Sequence, residues 1–391
     1  MNRVITCAVI ALLCSGCAAT DHSRSPDPFD PEAVPQISLR ELARVGGHDS
    51  RREYTLAGVD YAALLDDGSV AIADGINRQE VRIFSEEGVF LRALGRSGGG
   101  PGEFRSIRGL VAVPGEIVVW DIQTLRLTYF LADGQLENTV TLNVDGLQQF
   151  RPSFVGVLSD GSAVFSDSRG VDNGIGRDTI HFVRFTIDGG AWREIASVVG
   201  PEKYNGSLAV ESFIFGGEVR SSVFGDHLTI GTTDSLALTV YSSQGELLRQ
   251  PKLSRPRMPV TERHVRLEKE RRIREYNDPA LVVSSSNAPD FVALHEARIN
   301  ALSSKESLPA FSEFLPAGTD GFWVREYLYP GENAQRWFRL SADLEPTGWF
   351  ELAGGDVLLA ANEDTLIVLT TDALDVETVV IMRASAATPT A

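Results

Sequence analysis

From Tyr61 to Arg108, apolar residues come in four short runs, each about the length of one strand, separated by polar turn residues. YAALL runs into Asp66-Asp67-Gly68, VAIAD into a polar turn, and VRIF into Glu86-Glu87-Gly88. VFLRAL then leads into the glycine-rich connection that closes on Gly100-Pro101-Gly102-Glu103-Phe104. Runs of this length with this punctuation predict four antiparallel strands. One such sheet cannot bury both of its faces alone, so copies of it are expected along the chain. The copies are present. A first mark, between strands one and two, recurs at Asp67, Gly115, Asp160, Asp226, Asp320 and Asp364. A second, between strands three and four, recurs at Glu87, Asp133, Asp188, Gln244 and Asp343, and all but the last precede a glycine. An aromatic stands just ahead of each second mark (Phe84, Phe130, Phe185, Tyr241, Phe338), placed to plug the gap between neighbouring sheets. Six first marks predict an all-β, six-bladed β-propeller.

The sixth copy runs out after its third strand, Val376–Met382, so its outer strand is expected from the other end of the chain, over Ile37–Val45. Joining the two ends in one sheet closes the ring and leaves no open edge. Successive first marks lie about 45 residues apart except after the third and fourth, where the spacing grows. The surplus falls in Arg169–Asp178, Gly200–Arg220 and, most of all, Ser254–Leu308. The last of these reads as helical. Thr261 can cap a segment in which Glu262/Arg266, Glu268/Arg272 and Glu270/Arg274 stand four apart, with a thin apolar stripe of Val265, Ile273 and Tyr276. A second helix opens after Asn287 with Pro289 in its first turn and aligns Phe291, Leu294, Ile299 and Leu302. Connections between strands two and three, and between blades, leave a propeller on the same face. All three surpluses are therefore expected on one side, where function concentrates in long loops. The helical pair is expected to cover the channel mouth, with Phe291, Leu294, Ile299 and Leu302 packed down and the Glu/Arg-rich helix outermost. A peripheral bracket between blades four and five is the alternative.

The N-terminus carries a different pattern. Arg3, the apolar run Val4–Leu13 and the small residues Ser15-Gly16 before Cys17 read as an export signal, and the apolar run is too short for a stable membrane span. This segment resembles a lipoprotein signal, which implies that Cys17 is the acylated first residue of the mature chain. The expected organisation is a signal over 1–17, a Ser/Pro/Asp-rich tether over 18–35, and a propeller over 36–391 with the helical insertion at 254–308. All three cysteines, Cys7, Cys14 and Cys17, fall within the signal, so the domain has no disulfide to draw on. Membrane contact is expected through the lipid anchor only. The chain has 391 residues with a formal charge of −17, which argues against a nucleic-acid partner.

The run Asp66–Asp74, together with Val81–Phe84 and Gly100–Phe104, resembles the NHL-type, TolB-like six-bladed propellers of bacterial exported proteins, and within them a group of propeller lipoproteins. The resemblance is close over Tyr61–Leu142 and traceable to Arg383. It implies extracytoplasmic binding and, because Ala18 is not an aspartate, an outer-membrane destination in a two-membrane cell. It implies no reaction, because the fold hosts binders, lyases and lactone hydrolases alike.

Candidate chemistry lies where the inner strands begin. Arg108, Arg151 and Arg220 stand shortly ahead of the first marks of blades two, three and four, so they should form a cationic arc at the channel mouth. Guanidinium groups there suit an anionic small molecule, a glycan or a protein partner. The bland reading is that they pair with nearby carboxylates and hold blades together. Asp60, Glu313 and Asp356 occupy the comparable places in blades one, five and six. As a set they suggest calcium and a propeller enzyme, a lyase or lactone hydrolase, as the alternative to a binding protein without a cofactor. Asp74 and Asp121, at the ends of second strands, read as turn caps rather than catalytic carboxylates. No nucleophile elbow or zinc-binding helix motif is present.

Overall fold

In a computed structural model, which describes residues 27–75, 78–149, 151–168, 175–187, 190–206, 210–276, 289–318 and 321–386, the chain forms six antiparallel sheets arranged as a six-bladed β-propeller. Blade one comprises Tyr61–Leu64, Val70–Asp74, Glu80–Phe84 and Phe90–Leu94. The inner strands of blades two to six are Ile107–Val113, Ser153–Val157, Val219–Phe224, Phe311–Pro316 and Val357–Ala361. Each inner strand neighbours the next, and the sixth neighbours the first, which closes the ring.

Burial explains why the strands read as they do. The second strand of blade one, Val70–Asp74, is buried along its whole length because blades flank it on both sides, so it is apolar from Val70 to Ala73 rather than alternating. Outer strands such as Leu136–Thr141 face solvent and are mostly polar. The core consists of six wedges, each between successive blades. Phe130 enters the wedge between blades one and two, Phe185 that between two and three, and Phe338 that between four and five. Phe84 plugs the closing wedge between blades six and one. The expected aromatic plugs are therefore in place. In blade five the residue after Asp343 is Leu344, which takes φ +65° where other blades use glycine. Its side chain is fully buried in the four–five wedge, and that burial offsets the backbone strain.

Ring closure follows the expected route. Ile37–Gly46 pairs antiparallel with Glu377–Ala386 as the outer strand of blade six, and Val45 is completely buried. The chain ahead of it departs from expectation. Asp27–Pro35 was assigned to a flexible tether over 18–35, yet Phe29 is 2% exposed, stacks on Phe338 at 4.7 Å and lies beneath the Arg255 guanidinium. Arg255 is itself buried and pairs with Asp27 and Glu326. An aromatic ring that can enter an inter-blade wedge gains more from burial than the segment loses in freedom. The signal at 1–17, Cys17, residues 18–26 and most of the Arg169–Asp178 loop lie outside the described residues.

The described part of the surplus chain gathers on one face. Part of Gly200–Arg220 is strand rather than loop. The outer strand of blade three runs on as Ala191–Asn205, and a fifth strand, Val210–Ser212, adds to it. Helix α1, Glu262–Tyr276, and helix α2, Pro289–Asn300, form the insertion between blades four and five. The pieces bond to one another. Arg298 pairs with Glu211 at 2.5 Å, Lys305 with Glu202 at 2.5 Å, and the Ser303 N–H donates to the Tyr204 hydroxyl at 2.6 Å.

The helical pair packs on the loop-rich face beside blades three to five. His264 of α1 stacks on Tyr329 of blade five at 4.4 Å, and Leu302, just past α2, packs with Ile214 and Phe215 of the connection into blade four. Among the described residues, no hydrogen bond, ion pair or ring contact of either helix reaches blades one, two or six. Helix α1 also borders a cavity with Ser312 and Arg325 of the rim, and α2 reaches the strand added to blade three through Arg298 and Glu211, so the pair spans more than the gap between blades four and five. Ile299 and Leu302 are buried as expected, but Leu294 is 53% exposed, and the side chain of Phe291 lies outside the described residues. Helix α1 is not a simple outer layer either, because Glu268 is buried. Burial pushes the Glu268 carboxyl up, and the facing Arg271 and Arg272 outweigh it and hold it below its ordinary range. No described helix is long and apolar enough to cross a membrane.

Candidate functional site

Inner strands enter the channel from the loop-rich face, and several begin with a bulge. In blade two the register shifts between Ile107 and Gly109, so Arg108 is the extra residue. In blade five it shifts between Phe311 and Glu313, and the extra residue is Ser312. A bulge takes one residue out of the ladder and re-aims its polar groups. Here the freed groups bind across blades. Arg108 Nη1 lies 3.5 Å from Asp60 Oδ2 of blade one. Arg220 Nε donates to the Ser312 carbonyl at 2.9 Å, while its Nη2 pairs with Glu218. Ser312 Oγ in turn accepts from Arg325 Nε at 2.8 Å, and Arg325 reaches Glu313 at 3.4 Å.

Two of the three expected arginines are therefore already engaged with neighbours, as the bland reading had it. Arg151 differs. It stands exposed, two residues ahead of the inner strand of blade three, and no hydrogen bond or ion pair joins its guanidinium to any described residue. Tyr61 borders the same rim. Burial pushes its hydroxyl up, Asp60 adds to that effect, and Arg108 opposes it.

Asp60, Glu313 and Asp356 do not gather. Asp60 faces Arg108 and Glu313 faces Arg325, while Asp356 accepts from the Ala353 N–H at 3.3 Å, and burial raises its carboxyl above the ordinary range. Among the described residues no group of three His, Cys, Asp or Glu side chains could hold a metal. Asp121 is the expected cap: it accepts from the backbone N–H groups of Arg105, Gln123 and Thr124. Asp74 has a role that sequence reasoning missed, as the buried partner of Arg82. The only early signal was an arginine within the otherwise apolar third strand VRIF.

Below the charged rim the channel changes character. A cavity of about 700 Å³ is lined by all six inner strands. Its wall begins at Leu110, two residues below Arg108, and at Ser221, directly below Arg220. It ends among the tight turns of the opposite face, at Pro114, Pro316 and Asn362. None of Arg108, Arg151 and Arg220 belongs to the wall. Sequence reasoning had singled out only the rim, because apolar inner strands look alike whether they line a channel or a core.

A protein family described as a 6-bladed β-propeller matches residues 58–183, from the entry to blade one through most of the third strand of blade three. No curated protein matches the chain. Among solved structures, the chain is similar to a Bacteroides fragilis NCTC 9343 protein described provisionally as exported, with 13% identity, TM-score 0.50, and 90% of this chain and 96% of that one covered. It is also similar to a DUF4221-family protein of Bacteroides vulgatus ATCC 8482, with 10% identity, TM-score 0.52, and 90% and 99% of the two chains covered. At these identities the likeness is one of fold alone.

Proposed function

We propose that this propeller is a lipid-anchored, extracytoplasmic binding protein of the NHL/TolB-like kind that takes an anionic group at its channel mouth. The group belongs to a small molecule, a glycan or a partner protein. The observation that carries this reading is the exposed Arg151 guanidinium, unpaired among the described residues, on a rim where Arg108 and Arg220 are already neutralised. An arginine beside structured neighbours offers a carboxylate or phosphate two parallel donors at a modest entropic cost.

The test is titration with acetate, inorganic phosphate and galacturonate, each read by calorimetry. Arg151→Ala is expected to weaken the best of the three by roughly 10- to 100-fold, the scale of losing hydrogen bonds to a charged group. Equal affinity in the variant would show that the mouth is not the site. Anchoring is tested separately. Labelled palmitate should mark the wild-type chain, and Cys17→Ala should yield an unlabelled precursor or a soluble form. Labelling that persists in Cys17→Ala would overturn the assignment of the lipid to Cys17.

A further inference from the structure

We propose that the central channel houses the apolar body of an amphipathic organic anion, of the class of medium-chain carboxylates, whose charged end stays at the rim beside Arg151. This choice among the three ligand classes rests on the anion-binding reading of the mouth. What carries it is the layering of the channel. Polar and charged groups occupy the entry of every inner strand: Asp60, Arg108, Arg151, Arg220, Glu313 and Asp356. Lower down, the wall is mostly apolar, with Leu64, Ala112, Val155, Leu315 and Leu359 contributed by five of the six blades, and Asp66, Ser159 and Asn362 at its far end. Ser221 and Ser222 are the hydroxyl groups that blade four adds.

The dimensions suit an alkyl chain. The wall runs from Leu110 to Pro114 along blade two, four residue steps at about 3.3 Å each, or roughly 13 Å of depth. A volume of about 700 Å³ lies within the range of small-molecule pockets, which are mostly apolar with a few polar groups that fix orientation. A glycan would leave many of its hydroxyl groups without partners along the larger, apolar part of this wall, and a folded partner cannot enter it. An anion with an apolar tail satisfies both layers at once: the head meets Arg151, and the tail displaces water from a surface that binds water poorly.

The experiment titrates the full chain with acetate, hexanoate, octanoate and dodecanoate below their micellar concentrations, with dodecanol as the uncharged control, read by calorimetry. Affinity is expected to climb with chain length, so that dodecanoate binds at least about 100-fold tighter than acetate, the gain expected from burying only about four of its additional methylenes. Ala112→Trp, which fills the channel, is expected to abolish that climb. Should that variant not fold, Ser222→Phe blocks the same cavity from blade four. Arg151→Gln is expected to weaken dodecanoate at least tenfold. If dodecanoate binds no tighter than acetate, the channel proposal fails while the anion-binding mouth stands on the acetate result; if dodecanol binds as tightly as dodecanoate, the placement of the charged end at Arg151 fails. If none of the anions binds, the reading of the mouth fails with it.

Discussion

A chain that begins after Gly46 is expected to yield little or no folded monomer. Ile37–Gly46 supplies the outer strand of blade six along the whole of Glu377–Ala386. Val45 and Ala43 enter the wedge between blades six and one, against Val379 and Ile381. Removing the strand opens that wedge and exposes an unpaired edge next to apolar side chains, the arrangement from which sheets aggregate. It also removes Phe29 from the wedge between blades four and five. Together these losses are on the order of the whole stability margin of a domain, roughly 5–15 kcal/mol. Size-exclusion chromatography and circular dichroism should show aggregate or unfolded chain. A permuted chain in which Ile37–Gly46 follows Ala386 through a short turn is expected to regain the monomer, because Ile37 lies opposite Ala386 in the register. A truncated chain with the wild-type denaturation midpoint would falsify the closing role of this strand.

The second large effect is expected at Arg82. Its side chain is 1% exposed and meets Asp74 at 2.7 Å, Glu80 at 2.9 Å and the Thr55 carbonyl at 2.6 Å. Asp74 is equally buried. Arg82→Ala leaves that carboxylate in the interior without its cation, which costs roughly 3–5 kcal/mol when one partner of a buried pair is removed. The same change frees the segment that covers blade one, because the Thr55 and Glu53 carbonyls lose their donor. Urea denaturation of Arg82→Ala should show the drop as a lower midpoint. The double variant Arg82→Met with Asp74→Leu should recover a large part of it, because a well-packed apolar pair replaces two buried charges. If the double variant is as unstable as the single one, the loss comes from the carbonyl contacts rather than from the stranded charge.

Both effects concern residues that the sequence exposes to different degrees. Ile37–Gly46 was found by counting: a sixth blade with three strands needs a fourth, and only the chain's other end can supply it without a long crossover. Arg82 was passed over, because an arginine in a third strand reads the same whether it reaches solvent or lies beneath a covering segment. Phe29 was missed for a related reason. The Ser/Pro/Asp-rich composition around it predicts a flexible stretch, and one aromatic ring in such a stretch docks only if a wedge happens to lie within reach.

What the sequence by itself determined is whatever depends on neighbours in the chain or on strict repetition. Asp67 and Gly68 make a tight turn through local geometry, with Gly68 at φ +83° and Asp67 accepting from the Ser69 N–H. Phe130 and Phe338 plug gaps because each blade repeats the same register. The two helices follow from capping and from spacings of three and four, and the gathering of the surplus chain on one face follows from topology alone. Tertiary structure decided which long polar side chain meets which partner: Arg108 with Asp60, Arg220 with Glu218 and the Ser312 carbonyl, Arg151 with no described residue. It also decided that Leu294 faces out, that α2 reaches blade three while α1 lies beside blade five, and that a mostly apolar channel lies under a charged rim. These outcomes turn on contacts between residues far apart in sequence, made by flexible side chains with several acceptors within reach. The choice among such acceptors is settled by the packing of neighbouring blades, which no local pattern encodes.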